Sequence, residues 1–100
     1  MANEVNYICA RKASMNEDLA SAVVGTVTGG DVIDIATASA ALTGDVCIVQ
    51  AIGTGFWIKT GTSGVSAAAN TALNWLIPAG GVFTFEVNAD TTHFDTAADA

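Results

Sequence analysis

Asp45-Val46-Cys47-Ile48-Val49-Gln50-Ala51, Gly55-Phe56-Trp57-Ile58-Lys59-Thr60-Gly61, Leu73-Asn74-Trp75-Leu76-Ile77-Pro78-Ala79-Gly80-Gly81 and Val82-Phe83-Thr84-Phe85-Glu86-Val87 decide the fold. Each is a short run rich in β-branched and aromatic residues, bounded by glycine or proline. That is the signature of strands separated by tight turns. Val46 to Val49 is apolar on both faces, which predicts a central, fully covered strand. Phe56 and Ile58 share one face of the next strand, and Trp57 and Lys59 the other. Pro78 cannot donate to a ladder, so it stops the strand over 73–77. In the strand over 82–89, Phe83, Phe85 and Val87 are expected to face inward, and Thr84 and Glu86 outward.

Working outward, residues 3–10 alternate Val5, Tyr7 and Cys9 against Asn6, Ile8 and Ala10, which predicts another strand. Residues 14–24 are ambiguous. Ser14 followed by Glu17 could cap a short helix, but Val23, Val24 and Val27 favour a loop leading into a strand. Gly29-Gly30-Asp31 between two β-branched runs predicts a hairpin of 22–28 and 31–37. There Ile33 and Ile35 point one way and Asp34 the other. Gly61 to Thr71 is a long small-residue loop of the kind that often carries interactions. The expected fold is all-β: one domain, a small antiparallel β-sandwich or barrel of about seven strands. An N-terminal arm of about residues 1–20 and a frayed acidic tail of about residues 90–100 would flank it. The expected core is Val46, Ile48, Phe56, Ile58, Trp75, Leu76, Phe83, Phe85 and Val87.

Charged residues make up only 13% of the 100-residue chain, against 51% hydrophobic. A soluble domain is usually about one-quarter charged. Sparse charge on so small a domain suggests that partners cover part of its surface. Ten acids against three bases give a net charge of −7. Arg11, Lys12 and Lys59 cannot make the clustered basic surface that nucleic acid or an anionic membrane requires. Neither is therefore expected as a partner. Met1-Ala2-Asn3-Glu4 lacks the charged and apolar regions of a signal peptide, and no run reaches the ~18 apolar residues of a membrane span. The expected compartment is a reducing cytoplasm. Cys9 and Cys47 read most simply as two small buried residues. A bridge between them requires their strands to be neighbours.

Catalytic chemistry is scarce. His93 is the only histidine, so a Ser-His-Asp or Cys-His set would have to use it, close to an end of the chain. Asp90, His93, Asp95 and Asp99 could hold a divalent cation weakly, but their spacing matches no EF-hand loop, and a solvated acidic segment is the plainer reading. Gly53-Thr54-Gly55 and Gly61-Thr62-Ser63-Gly64 lack the Lys-Ser/Thr of a phosphate loop. Trp57 and Trp75 could stack on a sugar, though aromatics more often fill cores and subunit interfaces. No enzyme activity, cofactor or metal is expected.

Several of these elements together form a recognisable pattern over Thr37 to Asp90. Alanines precede a strand, here Val46-Cys47-Ile48-Val49. A Phe56-Trp57-Ile58-Lys59 strand ends in Gly61, and an Ala/Ser-rich loop follows from Ser66 to Ala72. Then come the turn Leu76-Ile77-Pro78-Ala79-Gly80 and the apolar strand Val82 to Val87. This pattern resembles small virion structural proteins of tailed bacteriophages, often encoded beside the major capsid protein. Here the acidic stretch Asp90 to Ala100 replaces the closing apolar strand of that pattern.

The resemblance implies a capsid decoration (cement) protein on the outside of the virion, assembled in the host cytoplasm. It would bind the major capsid protein and itself, as a homotrimer. Alternatives are a head-to-tail or tail connector, or a small receptor- or glycan-binding fibre or spike module. Expected interface residues are Tyr7, Arg11, Lys12, Trp57, Gly64, Val65 and Trp75. The loop Gly61 to Thr71 and an N-terminal arm over Asn3 to Lys12 would join them.

Overall fold

The computed structural model describes residues 4–12 and 24–99. Among these are seven strands: β1 (Glu4–Lys12), β2 (Val24–Asp34), β3 (Val46–Ile52), β4 (Phe56–Gly61), β5 (Trp75–Ile77), β6 (Val82–Glu86) and β7 (His93–Ala98). They form two antiparallel sheets, ordered β2-β1-β3-β6 and β5-β4-β7. The chain is all-β, in the manner of a small sandwich.

Period-two alternation explains which side chains make the core. From the four-stranded sheet, Val5, Tyr7, Cys9, Cys47, Val49, Ala51 and Phe85 point inward. Phe56, Ile58, Ile77 and Phe94 come from the three-stranded sheet to meet them. The ring of Phe94 lies edge-on to Tyr7 at 5.0 Å and to Phe85 at 6.2 Å, so one phenylalanine joins the two sheets. Of the expected core, Val46, Phe56, Ile58 and Phe85 are buried, and Ile48, Phe83 and Val87 are half-buried.

The connection from β2 to β3 runs along the free edge of β7. Ser39 N–H donates to the Phe94 carbonyl (2.8 Å), and Leu42 N–H to that of Thr92 (2.9 Å). Phe94 N–H donates to Ser39 Oγ (3.0 Å), and Ala36 N–H to Thr96 Oγ1 (2.9 Å). These bonds satisfy an edge that would otherwise present unpaired backbone groups. β5 and β6 have no such cover among the described residues.

Several expectations need correction. The segment read as an acidic tail contains β7, whose Phe94 and Thr96 are buried. Weak hydrophobicity hid this strand: only Phe94 is strongly apolar, and Thr96 is tolerated inside because Ala36 satisfies its hydroxyl. The strand expected over residues 3–10 is present, so residues 4–12 are part of the sheet and not an arm. They form β1, paired on both sides in its sheet. Gly29-Gly30 does not turn a hairpin but lies inside the single strand β2, opposite Cys9 and Ile8. Gly30 has φ +151°, and a Cβ there would sit 2.5 Å from the Tyr7 carbonyl oxygen. Glycine thus serves close strand approach beside a bulge. Trp75 and Leu76, expected in the core, are exposed. The alternatives for residues 14–24 fall, apart from Val24, outside the described residues.

Two core groups make stability sensitive to alkali. Burial pushes the Cys47 thiol well above its ordinary value of 9.0, and the neighbouring Cys9 adds to the effect. Burial, with the Asp31 carboxylate on β2 next in weight, raises the Tyr7 phenol above 10.0. A hydrogen bond to the Ala40 backbone works the other way. Both groups keep their protons in the folded state at a pH where the unfolded chain loses them. Their contribution is therefore complete below the unfolded values and is lost as pH rises. From about pH 9 stability should fall by about 1.4 kcal/mol per pH unit through Cys47, and faster once unfolded tyrosine ionises near 10. Urea midpoints across this range test it. Cys47→Ala should remove the first part of the slope, and an unchanged slope would assign it elsewhere.

Candidate functional site

β5 is the edge of one sheet and β6 the edge of the other, and Trp75 meets Phe83 across the seam between them, 6.2 Å between rings. From there an aromatic series runs inward. Phe83 lies 5.8 Å from Phe85, which lies 6.2 Å from Phe94. Trp75 is thus anchored on its inner side to the core, yet remains 64% exposed. Leu73 is 85% exposed, Val82 60% and Leu76 41%. Scattered exposed apolar residues are ordinary, but large ones gathered on two edge strands and their approach loop are not.

Local sequence explains why these side chains stay outside. Trp75 has the same parity as Phe56 and Ile58 in its sheet, but β5 lies at the border. Leu76 has the opposite parity and lies across from Trp57 on the outer face. Leu73 has φ +68°, a conformation that disfavours a bulky side chain. The Asn74 side chain holds the preceding turn. It accepts from Ala68 N–H (3.0 Å) and donates to the carbonyls of Thr71 (3.2 Å) and Ala72 (3.0 Å). Asp95 Oδ2 accepts from Ala67 N–H (2.8 Å), fastening the loop to β7.

Charge is absent from this part of the chain. From Thr60 to Phe85 no residue is ionisable as Asp, Glu, Lys, Arg or His. In a chain of net charge −7, this stretch can be covered by another protein without burying an unpaired ion or bringing like charges together.

The structure divides the expected interface residues. Trp75 lies exposed on the edge strand β5. Trp57 is half-buried on the outer face of its sheet, where its indole N–H donates to Asp99 Oδ1 (3.2 Å). Gly64 is exposed and Val65 half-buried, the latter beneath Gly61. Arg11 and Lys12 lie at the far end of β1. There Arg11 lines a shallow cleft with Thr28, Thr43, Gly44 and Asp45, and Lys12 N–H donates to Asp45 Oδ2 (3.1 Å). Tyr7 is a core residue and offers its ring to Phe94, not to a partner. Leu73 and Val82 were not among the expected interface residues, although the uncharged run around them was a readable signal.

The C-terminal polar residues have structural partners. His93 is half-buried, with Nδ1 2.8 Å from Thr92 Oγ1. Asp95 and Asp99 hold Ala67 and Trp57 as described. Among the described residues no three His, Cys, Asp or Glu side chains converge as a metal site would require. Comparison of the chain with protein-family models, curated proteins and solved structures finds no match.

Proposed function

We propose that this chain is a non-enzymatic assembly protein that docks by its β5–β6 edge onto a larger protein shell. The form that accords with the sequence resemblance is a decoration protein on the outside of a tailed-phage capsid, with the major capsid protein as its partner and other copies of itself, three in a ring, as neighbours. The observation that carries this reading is the exposed Trp75 on an edge strand, anchored on its inner side to Phe83 within an uncharged stretch of chain. A large side chain whose inner half is already packed loses little freedom on binding, and such residues dominate interface energetics. A decoration protein stabilises a shell by binding only its assembled form, so it needs complementary surface and no active site.

Light scattering of the purified protein, followed by co-sedimentation with tailed-phage capsids stripped of their accessory protein, tests the reading. The expected result is an oligomer that co-sediments and raises the capsid melting temperature. Trp75→Glu should weaken that binding about 30-fold or more, as loss of a central aromatic anchor does, while the free protein, losing its contact with Phe83, stays folded with a stability loss of about 1 kcal/mol. A monomer that ignores capsids would overturn the reading.

The exposure of Trp75 also favours a second reading, a glycan-binding module that stacks the indole on a sugar face. The stretch around this tryptophan, from Thr60 to Phe85, supplies no charged side chain to hydrogen-bond the hydroxyls of a sugar, which is why assembly is preferred. Quenching of tryptophan fluorescence by an oligosaccharide, lost in the same variant, would reverse that order.

A further inference from the structure

Cys9 and Cys47 lie directly opposite each other on the adjacent antiparallel strands β1 and β3. Both are on the core face, 2% and 0% exposed, and both are free thiols. The backbone hydrogen bonds show which kind of pair they form. Along a strand, successive residues direct their N–H and C=O groups to opposite neighbours. The Asp45 carbonyl accepts from Val87 N–H (2.9 Å), and Ala51 N–H donates to the Gly81 carbonyl (3.0 Å), both on the β6 side. The β3–β6 register is unbroken between them, so Cys47, at the same parity, also bonds toward β6. Toward β1 it therefore forms a non-hydrogen-bonded pair with Cys9. Such pairs bring Cα atoms to about 4.5 Å, with side chains closest. That lies inside the range of about 4.4–6.8 Å that a disulfide spans.

We propose that Cys9 and Cys47 are a disulfide-forming pair that closes when the chain meets an oxidising medium and locks β1 to β3. The oxidant is a low-molecular-weight disulfide. A thiolate of the pair attacks it, one small thiol leaves, and the second cysteine displaces the other. Two S–H bonds are lost and one S–S bond forms. The small disulfide takes up the two electrons and is released as two thiols. Burial keeps the pair from the oxidant while β1 is in place between β2 and β3, so closure proceeds through local opening of β1. The pair rests on strand register and burial alone and is independent of the assembly reading.

Incubation with glutathione disulfide tests the proposal, with and without urea below the unfolding midpoint, followed by intact mass and a thermal melt. The expected product is a monomer lighter by two hydrogens, formed slowly in buffer and faster in urea. Its melting temperature should rise by on the order of 10 °C and return to the starting value after dithiothreitol. Cys9→Ala and Cys47→Ala should each gain no such rise. Unchanged mass in urea, a lasting glutathione adduct, a disulfide-linked dimer, or closure without a rise in melting temperature would each overturn the proposal. Equal rates with and without urea would overturn the opening step.

Discussion

Phe94→Ala is expected to lower the free energy of unfolding by about 3–5 kcal/mol, the usual cost of removing a fully buried aromatic. Phe94 has no exposed surface, and its ring makes edge contacts with Tyr7 and Phe85 of the opposing sheet. Alanine would leave a cavity where the two sheets meet. The backbone at this position also holds the β2–β3 connection through two hydrogen bonds with Ser39. The loss should therefore spread to that connection. For a domain with about 5–15 kcal/mol in total, this is about a fifth of its stability at the least. Urea denaturation measures it, with near-ultraviolet circular dichroism reporting on the Tyr7 environment. A loss below about 1 kcal/mol, the range of surface substitutions, would mean that residues 93–98 are a dispensable tail and not part of the core.

Gly44→Ala should cost on the order of 3–4 kcal/mol by two separate effects. Gly44 has φ +75°, which a residue with a Cβ adopts only at about 1–2 kcal/mol. A Cβ here would also sit 2.6 Å from the Ala10 carbonyl oxygen and 2.8 Å from its carbon. These are backbone atoms and cannot rotate away. The same carbonyl accepts from Asp45 N–H (2.8 Å), and Asp45 Oδ2 in turn accepts from Lys12 N–H. Relief of the clash would loosen the end of the β1–β3 pairing. Gly64→Ala is the matched control. Gly64 has φ +90° with nothing within 4 Å of an added Cβ, so only the conformational cost remains. Equal losses at the two positions would remove the steric effect from the account.

The two central strands of the fold were legible because their residues carry strong local signals. Val46 to Val49 is apolar throughout and forms the interior strand β3, though not the fully covered one expected: its outer face leaves Ile48 half-buried and Gln50 exposed. Phe56 and Ile58 alternate with Trp57 and Lys59, and the structure places them as that alternation predicts. β7 was not legible. Its one large apolar residue, Phe94, is flanked by His93 and Asp95, and Thr96 enters the core only because Ala36, 60 residues away in the chain, supplies a donor. Gly29-Gly30 carried the signature of a turn, but the demand it answers is the approach of the Tyr7 backbone, which no local window contains.

The candidate site divides in the same way. The sequence by itself determined that this is an all-β chain with three basic residues against ten acidic ones. It also determined that its tryptophans lie among apolar neighbours. Alternation and charge count suffice for these because both are properties of consecutive residues or of their sum. Only the tertiary structure decided that Trp75 and Leu76 lie on an uncovered edge and Tyr7 in the core. It also decided which strands flank the N-terminal strand on either side, and that Cys9 faces Cys47 across a non-hydrogen-bonded position. Exposure and strand register depend on which edge each strand occupies and on what lies across from it. Those are set by pairings between distant segments, and a residue's own neighbours in the chain do not encode them.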